Sequence, residues 1–390
     1  MRLPIPYRAE DVVVAQRLQA LQKALDWVQV IPVAAPWVQA VRDNPPPFWA
    51  MESLLKEYPI SSSEGLALMR LAEALLRVPD AATAIALTAD QLGRANFEDS
   101  SDQTLARLSS AAIAMSKKFL PDPSQNDASP GLLAKLGQKT VVAATLRAVA
   151  LLGRQFVLGQ TIESAMQEAN KARQALPNLG FSYDMLGEGA RTAADAERYE
   201  KIYADAITAV GKTAKGQGPE AGHGVSVKLS ALSPRYEATH EARVWDELYP
   251  RILRLARIAA RYDINFTMDA EEADRLALSL KLLDRLAHEP DLGGWTGLGL
   301  AVQAYQKRCP EVIRRVAELA KTSGRRLMVR LVKGAYWDTE IKRAQVFGRT
   351  DYPVFTTKAA TDLNYLVCAK AMIEAAPHIY SQFATHNAHS

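Results

Sequence analysis

The spacing of apolar positions changes near the middle of the chain. In the first 120 residues they recur at helical intervals. After a capping-box pair, Ser61 and Glu64, the residues Leu68, Leu71, Ala72 and Leu75 share one helical face, and Pro79 follows the stop. Residues 104–118 repeat the amphipathic style. The stretch PDPSQNDASPG (121–131) can sustain neither a helical nor a strand period and reads as a linker. Helical spacing returns from about 133 to 176. From about residue 180 short β-rich runs alternate with long amphipathic stretches. The strand candidates are GFSYDML (180–186), VSVKLSAL (225–232), INFTMDA (264–270), GLGLAVQAY (297–305), RLMVRLVKG (326–334) and YSQFATH (380–386). Helices are expected between them at 191–213, 241–261, 272–286, 309–322 and 357–376. Alternation of this kind predicts a parallel sheet with right-handed crossovers.

The six runs share a second property. Each has a mostly apolar body and ends in reactive side chains: Asp184 and Glu188, Lys228, Asp269 with Glu271 and Glu272, Gln303 and Tyr305, Arg330 with Lys333, and His386 with Asn387. Polar groups at the C-terminal ends of successive parallel strands are what a TIM-type barrel site requires. A doubly wound sheet would concentrate them at one switch point, usually with a Gly-rich first turn, and neither GxGxxG nor GxxxxGK[ST] occurs. The expected organisation is an all-α arm and helical domain over 1–120, a linker over 121–138, a helical lead-in over 139–179 and a (β/α) barrel over 180–390.

Period 2 puts Ser226 and Lys228 inside such a barrel if Val225, Val227 and Leu229 face the helices. A lysine there is costly unless it is paired or functional, so Lys228 either pairs with Asp269 or grips an anionic substrate. Asp269 belongs to a strand end, whereas Glu272 and Asp274 are expected to open the following helix, whose dipole favours acids. RLVKGAYW (330–337) is the densest motif. Arg330 and Lys333 supply positive charge, Gly334 and Ala335 allow close approach to the backbone, and Tyr336 and Trp337 supply flat surfaces. Trp337 could instead plug the barrel end. A cation-rich pocket suits a carboxylate, a phosphate or both.

Composition narrows the function little. Hydrophobic residues make up 48% and charged residues 23%, an ordinary globular mix, and the net charge of +4 marks no nucleic-acid surface. Cys309 and Cys368 have no metal-ligand spacing and are expected to be reduced core thiols. Neighbouring cations disfavour a metal at the acidic cluster. No signal peptide and no spanning segment is expected. Two other readings stay open: a Schiff-base lyase with Lys228 or Lys333 as nucleophile, and a non-enzymatic scaffold or membrane-docking module.

The motifs SYDMLGEGA (182–190), SVKLSALSPRYE (226–237), MDAEEADRL (268–276), QAYQKRCP (303–310), RLMVRLVKGAYWDTEIKRAQ (326–345) and FATHNAH (383–389) together resemble the proline dehydrogenase domain of bifunctional proline utilisation A flavoenzymes. SSEGLALMRLAEALLRVPDAAT (62–83) is similar to the helical region of the same family. The resemblance implies a distorted (β/α)8 barrel, with about six of its eight strands present, that binds FAD. The implied reaction oxidises L-proline to Δ1-pyrroline-5-carboxylate with hydride passed to flavin N5, and a membrane quinone then takes the electrons. It further implies that Lys228 pairs with the substrate carboxylate and Asp269 lies beside substrate and flavin. Gln303, Arg330, Val332, Lys333, Gly334, Ala335 and Trp337 match FAD contacts, with Arg330 near N5. Thr385, His386 and Asn387 match a second FAD-contacting run. Tyr336 packs on the substrate, and Glu188 closes a gate through an ion pair.

Several expectations follow for the whole protein. The last barrel strands, an arginine pair for the proline carboxylate, the partner of Glu188 and an aldehyde dehydrogenase domain fall beyond Ser390. An isolated 390-residue piece is expected to fold or act poorly unless it belongs to a longer chain. There is no room before Met1 for the ribbon-helix-helix domain of some members, so no nucleic acid is expected for this segment. A homo-oligomer and a cytoplasmic location at the inner face of the membrane are compatible with the pattern.

Overall fold

The structure, a computed structural model, describes residues 3–22, 26–44, 157–185 and 189–385. The predicted Ser61–Glu64 capping box, the stripes at 68–75 and 104–118, the linker, and the candidate residues Glu188, His386 and Asn387 lie outside the described residues. Two compact units are present. One comprises Met1–Ala40 with Ala169–Ser390, and the other is Val41–Glu168.

The first unit is built on a six-stranded sheet in which every neighbouring pair is parallel and spatial order equals chain order. Its strands are β1 (Ser182–Asp184), β2 (Gly224–Val227), β3 (Asn265–Met268), β4 (Leu298–Gln303), β5 (Leu327–Val332) and β6 (Ile379–Phe383). Two helices near the N-terminus are α1 (Glu10–Leu21) and α2 (Trp27–Asp43), and α3 (Ile162–Ala175) precedes the sheet. The crossovers are α4 (Ala193–Thr213), α5 (Tyr249–Arg261), α6 (Leu276–Ala287), α7 (Cys309–Ser323), and, between β5 and β6, α8 (Trp337–Val346) and α9 (Lys358–Glu374).

All six predicted strands form. One face carries Val225, Val227, Phe266, Met268, Leu298, Leu300, Val329 and Leu331, all essentially inaccessible. These side chains meet the helix layer, where α5 contributes Ile252, Leu255, Ala256 and Ala259. Burial of each aliphatic side chain is worth roughly 1.5–3 kcal/mol, so this apolar layer is the principal source of cohesion.

The opposite face is polar and curls inward. In a flat sheet, four spacings of about 4.8 Å would hold β1 roughly 19 Å from β5. Yet Arg330 of β5 donates from Nη2 to Ser182 Oγ of β1 at 2.7 Å and from Nη1 to Ser226 Oγ of β2 at 3.0 Å. An arginine side chain reaches only a fraction of the flat distance, so the six strands follow the arc of a barrel wall.

Three sequence expectations fail locally. The run VSVKLSAL leaves the sheet after Val227, and Leu229–Ala231 tightens into a 3-10 turn. The reason is a competing acceptor: Ser230 N–H donates to Glu271 Oε1 at 3.0 Å instead of entering the ladder. Glu272 and Asp274 do not open a helix, because α6 starts at Leu276. Backbone groups of 271–273 are taken by side chains instead: Gln303 Nε2 donates to Glu271 O at 2.8 Å, and Glu340 Oε1 accepts Ala273 N–H at 2.6 Å. The third failure is α8, absent from the helices expected. Asp338 and Glu340 in its first turn and Arg343 in its last suit the helix dipole.

Candidate active site at the strand C-terminal ends

β2, β3 and β5 deliver three charged side chains to one end of the arc. Lys228 follows β2, and its Nζ donates to both Asp184 oxygens, at 2.8 and 3.0 Å, and to Asp269 Oδ2 at 3.3 Å. Asp269 follows β3, where its own N–H is anchored to Val227 O at 2.9 Å. Its second oxygen faces Arg330 Nη1 at 3.5 Å. The result is a continuous lattice, Asp184–Lys228–Asp269–Arg330, steadied by Ser182 and Ser226, whose hydroxyls lie 3.0 Å apart.

The lattice is most sheltered from water at Asp269. The Asp269 side chain is only 14% exposed. Burial raises its pKa above the ordinary aspartate value; Lys228 opposes that shift, Asp184 adds to it, and Arg330 opposes it. Both readings of Lys228 therefore have a basis in geometry: it is paired with Asp269, and it stands at the rim of a cleft. An ammonium held between two carboxylates is a charge anchor, whereas a Schiff-base nucleophile needs a free amine.

That cleft is open, about 440 Å³ in volume, and is lined by Arg191, Lys228, Tyr236, Glu271, Arg275 and Tyr336 among others. Its size suits a small molecule. Burial, then Glu271 and Glu272, push the Tyr336 phenol up to about 12, so it stays protonated near neutrality. Tyr236 shifts upward from the same principal cause, burial.

The RLVKGAYW motif turns the corner from β5 to α8. Lys333 Nζ donates to Asp362 Oδ1 of α9 at 2.7 Å and lies 5.6 Å from the Tyr365 ring centroid. Burial raises the Asp362 pKa, but hydrogen bonds from Lys333 and Lys358 outweigh it and hold the carboxyl below the ordinary aspartate value. Gly334 has φ +136°, and a Cβ there would stand 2.4 Å from the Tyr305 ring, so glycine is needed on two counts. Ala335 is exposed. Trp337 is 41% exposed and so does not plug the barrel; its Nε1 donates to Phe355 O at 2.9 Å. Val332 closes β5 in register with Gln303, which is buried with its amide already committed to Glu271 O. Thr385 lies just past β6 and is exposed.

Of the sequence candidates, the structure brings together Lys228, Asp269 and Arg330, and it gathers Lys333, Gly334 and Trp337 on the β5–α8 side. Asp184 was legible only as a strand-end acid, and its part in holding Lys228 was missed. Ser182 was missed as well: a serine in a strand gives no signal until curvature brings it under Arg330.

Comparison with known proteins defines the class. Residues 165–390 match the family model described as Proline dehydrogenase. The chain belongs to the proline dehydrogenase family. It is similar to the bifunctional protein PutA of Klebsiella aerogenes, 48% identical over 346 residues that make up 87% of this chain and 26% of that protein. The bifunctional protein PutA of Escherichia coli is 47% identical over the same shares. The chain thus spans about a quarter of the length of the curated relatives it matches. A crystal structure of a proline utilization A mutant from Bradyrhizobium japonicum superposes with a TM-score of 0.72 at 45% identity, covering 99% of this chain and 39% of that one.

Residues 50–156 match a second family model, described as the DNA-binding domain of Proline dehydrogenase. This overturns the expectation that the segment has no connection with nucleic acid. That expectation rested on charge and on the lack of room for a ribbon-helix-helix domain; the matched stretch carries eleven basic and eleven acidic side chains, so its composition gives no basic signal. Among the described residues, no helix is long and apolar enough to cross a membrane.

Proposed function

We propose that this chain carries the FAD-dependent oxidation of L-proline to Δ1-pyrroline-5-carboxylate, the first step in breaking proline down to glutamate. The observation that carries the reading is the Asp184–Lys228–Asp269–Arg330 lattice, set at the strand ends of a family barrel beside a cleft of small-molecule size. A small zwitterion needs a cation for its carboxylate. Lys228 supplies it, its partners Asp184 and Asp269 holding the ammonium at the cleft rim. Tyr336 packs against the substrate ring, and Glu188 gates the cleft.

The residues fit a flavin dinucleotide. Arg330 and Lys333 are donors suited to anionic groups. Exposed Gly334 and Ala335 allow backbone approach, and Trp337 offers a partly open ring. In register with Arg330 on the neighbouring strand, Gln382 has a buried Oε1 without a hydrogen-bond partner, an acceptor awaiting a donor. The residues proposed to hold FAD are Asp269, Gln303, Arg330, Val332, Lys333, Gly334, Ala335, Trp337, Thr385, His386 and Asn387. When bound, FAD supplies the two-electron sink, accepting hydride at N5 from the proline carbon next to nitrogen. Arg330 would stabilise negative charge gathering on that side, and Asp269 would keep Lys228 and Arg330 aligned.

For the longer protein we further propose electron transfer to a quinone at the inner face of the cytoplasmic membrane, an aldehyde dehydrogenase partner domain and assembly into a homo-oligomer. The test of the core reading is the visible absorbance of the purified protein, before and after L-proline under anaerobic conditions. A flavin band that bleaches on proline addition is expected. A colourless protein, or a band indifferent to proline, would overturn the proposal.

A further inference from the structure

Residues 3–21 form an arm whose α1 helix packs on the barrel unit, meeting Phe355 and Thr356, the first turns of α9, and Lys307 and Glu311. Glu10, in the first turn of α1, accepts Thr356 N–H at 2.9 and 3.2 Å and the Thr356 hydroxyl at 3.0 Å. Val13, 1% exposed, packs with Phe355 and Ala360 in one small core. Arg17, buried, donates from Nε to Asn364 Oδ1 at 2.8 Å and from Nη2 to Lys307 O at 2.9 Å. Lys307 itself is fully buried, and its ammonium joins Arg8 O at 2.9 Å to Asp351 at 2.5 Å.

The segment at Phe355 and Thr356, held by the arm, also holds the β5–α8 side of the site. Phe355 O accepts the Trp337 indole N–H, and Phe355 N–H donates to Tyr305 O at 2.9 Å. Tyr305 is the ring against which Gly334 is fitted. Thr357 caps α9, accepting Ala360 N–H at 3.4 Å, and the first turns of α9 carry Asp362, the partner of Lys333. Lys228 and Asp269 are held from another direction: Lys228 Nζ by Asp184 and Asp269, the Lys228 N–H by the Tyr203 hydroxyl of α4 at 3.3 Å, and the Asp269 N–H by Val227 O.

We propose that the arm is a positioning element for the cofactor, with Glu10 a positioning residue that acts through Phe355 and Thr356 on Trp337. The Glu10 carboxylate accepts both the N–H and the hydroxyl of Thr356, and the adjacent carbonyl of Phe355 accepts the indole N–H. Without Glu10 the segment keeps Phe355 against Val13 and the Phe355 N–H on Tyr305 O, but Thr356 loses its polar tie to the arm. The arm thereby couples its own docking to flavin affinity while leaving the proline end of the cleft untouched. This inference rests on the reading of the Trp337 side as the FAD site.

The experiment measures FAD affinity of the full chain by fluorescence quenching for the unaltered protein, Glu10→Ala, Glu10→Gln, Thr356→Val and the Glu10→Ala/Thr356→Val double variant. Glu10→Ala is expected to weaken FAD binding about 10-fold, on the scale of losing hydrogen bonds to a charged group. Glu10→Gln, which keeps an acceptor for the Thr356 N–H, should recover most of that loss. The double variant should bind no more weakly than Glu10→Ala, because the hydroxyl bond that Thr356→Val removes is already lost with Glu10. In flavin-saturated enzyme the KM for proline should not move, whereas a general loosening of the fold would shift it too. Unchanged FAD affinity in Glu10→Ala, or independent adding of the two losses, would overturn the proposal. If Glu10→Ala fails to fold, Thr356→Val, which loses the hydroxyl bond to Glu10 and keeps the N–H contact, should weaken FAD binding by a smaller factor, about 2- to 5-fold, and unchanged affinity there overturns the proposal. Unaltered protein that takes up no FAD would instead overturn the functional reading, so the two failures are distinguishable.

Discussion

The two sides of the site are held in different ways. The lattice side, Asp184–Lys228–Asp269–Arg330, springs directly from the strands, and its charged groups bind one another. The β5–α8 side hangs from connections after β5: Lys333 leans on a helix two elements further along, Trp337 on a loop carbonyl, and that loop on the N-terminal arm. In the first arrangement the charges balance and Asp269 and Arg330 are the most sheltered members, so removal of Asp269 strands its partners in a poor solvent. The second has an exposed Trp337 and depends on contacts distant in sequence. Small errors in the first should therefore damage chemistry, and errors in the second should damage retention of the cofactor.

The largest effect is expected where the lattice is most buried. Asp269→Ala leaves Lys228 and Arg330 without their shared counter-charge. Breaking a buried pair from one side costs about 3–5 kcal/mol, so proline turnover should fall by at least about 100-fold in steady-state kinetics. Because Asp269 is also proposed to touch FAD, some flavin loss is expected; a fall in turnover per bound flavin keeps the two sides separable, whereas a fall explained by flavin loss alone would merge them. Lys228→Met should come next. It should raise the KM for proline by about 10- to 100-fold, the range for a lost hydrogen bond to a charged group, with flavin content unchanged.

Gly334→Ala probes the other side. Positive φ and the Tyr305 contact together should cost about 1–3 kcal/mol, read as weaker FAD binding and a lower Tm. The acid limb of the kcat/KM profile sharpens the first side. The folded pKa of Asp269 is raised, so its stability contribution is present below the unfolded-state pKa and is lost as pH rises through the folded value. Activity runs the opposite way, because the lattice needs the carboxylate. Turnover should fall as pH drops through the raised value, above the ordinary aspartate range, and Asp269→Asn should flatten that limb. The smallest effect belongs to Asp362→Asn. Lys333 and Asp362 are partly exposed, at 25% and 36%, so flavin affinity should fall only about 2- to 5-fold.

Period-2 alternation and reactive strand ends made the barrel legible, because both survive in a linear string. The inward aim of Ser226 and Lys228 followed from the apolar positions beside them. What could not be read was any contact that depends on curvature. Arg330 meets Ser182 across three intervening strands, and no local spacing encodes that meeting. Nor could the pattern show that Gln303 and Glu340 would satisfy the backbone where a helix was expected to begin, or that Glu271 would take the Ser230 N–H where a strand was expected to continue. The helix α8 was hidden by its own motif: glycine and aromatics before it drew attention from the acidic first turn. The arm's hold on 353–357 joins residues more than 340 positions apart, beyond any reading of neighbours.

The most direct test of the two-sided account is an anaerobic titration of flavin-loaded Lys228→Met with L-proline, followed by the visible flavin band. The account predicts a band as strong as in the unaltered protein and bleaching that requires about 10- to 100-fold more proline. Bleaching at the unaltered concentration, or loss of the flavin band itself, would contradict it.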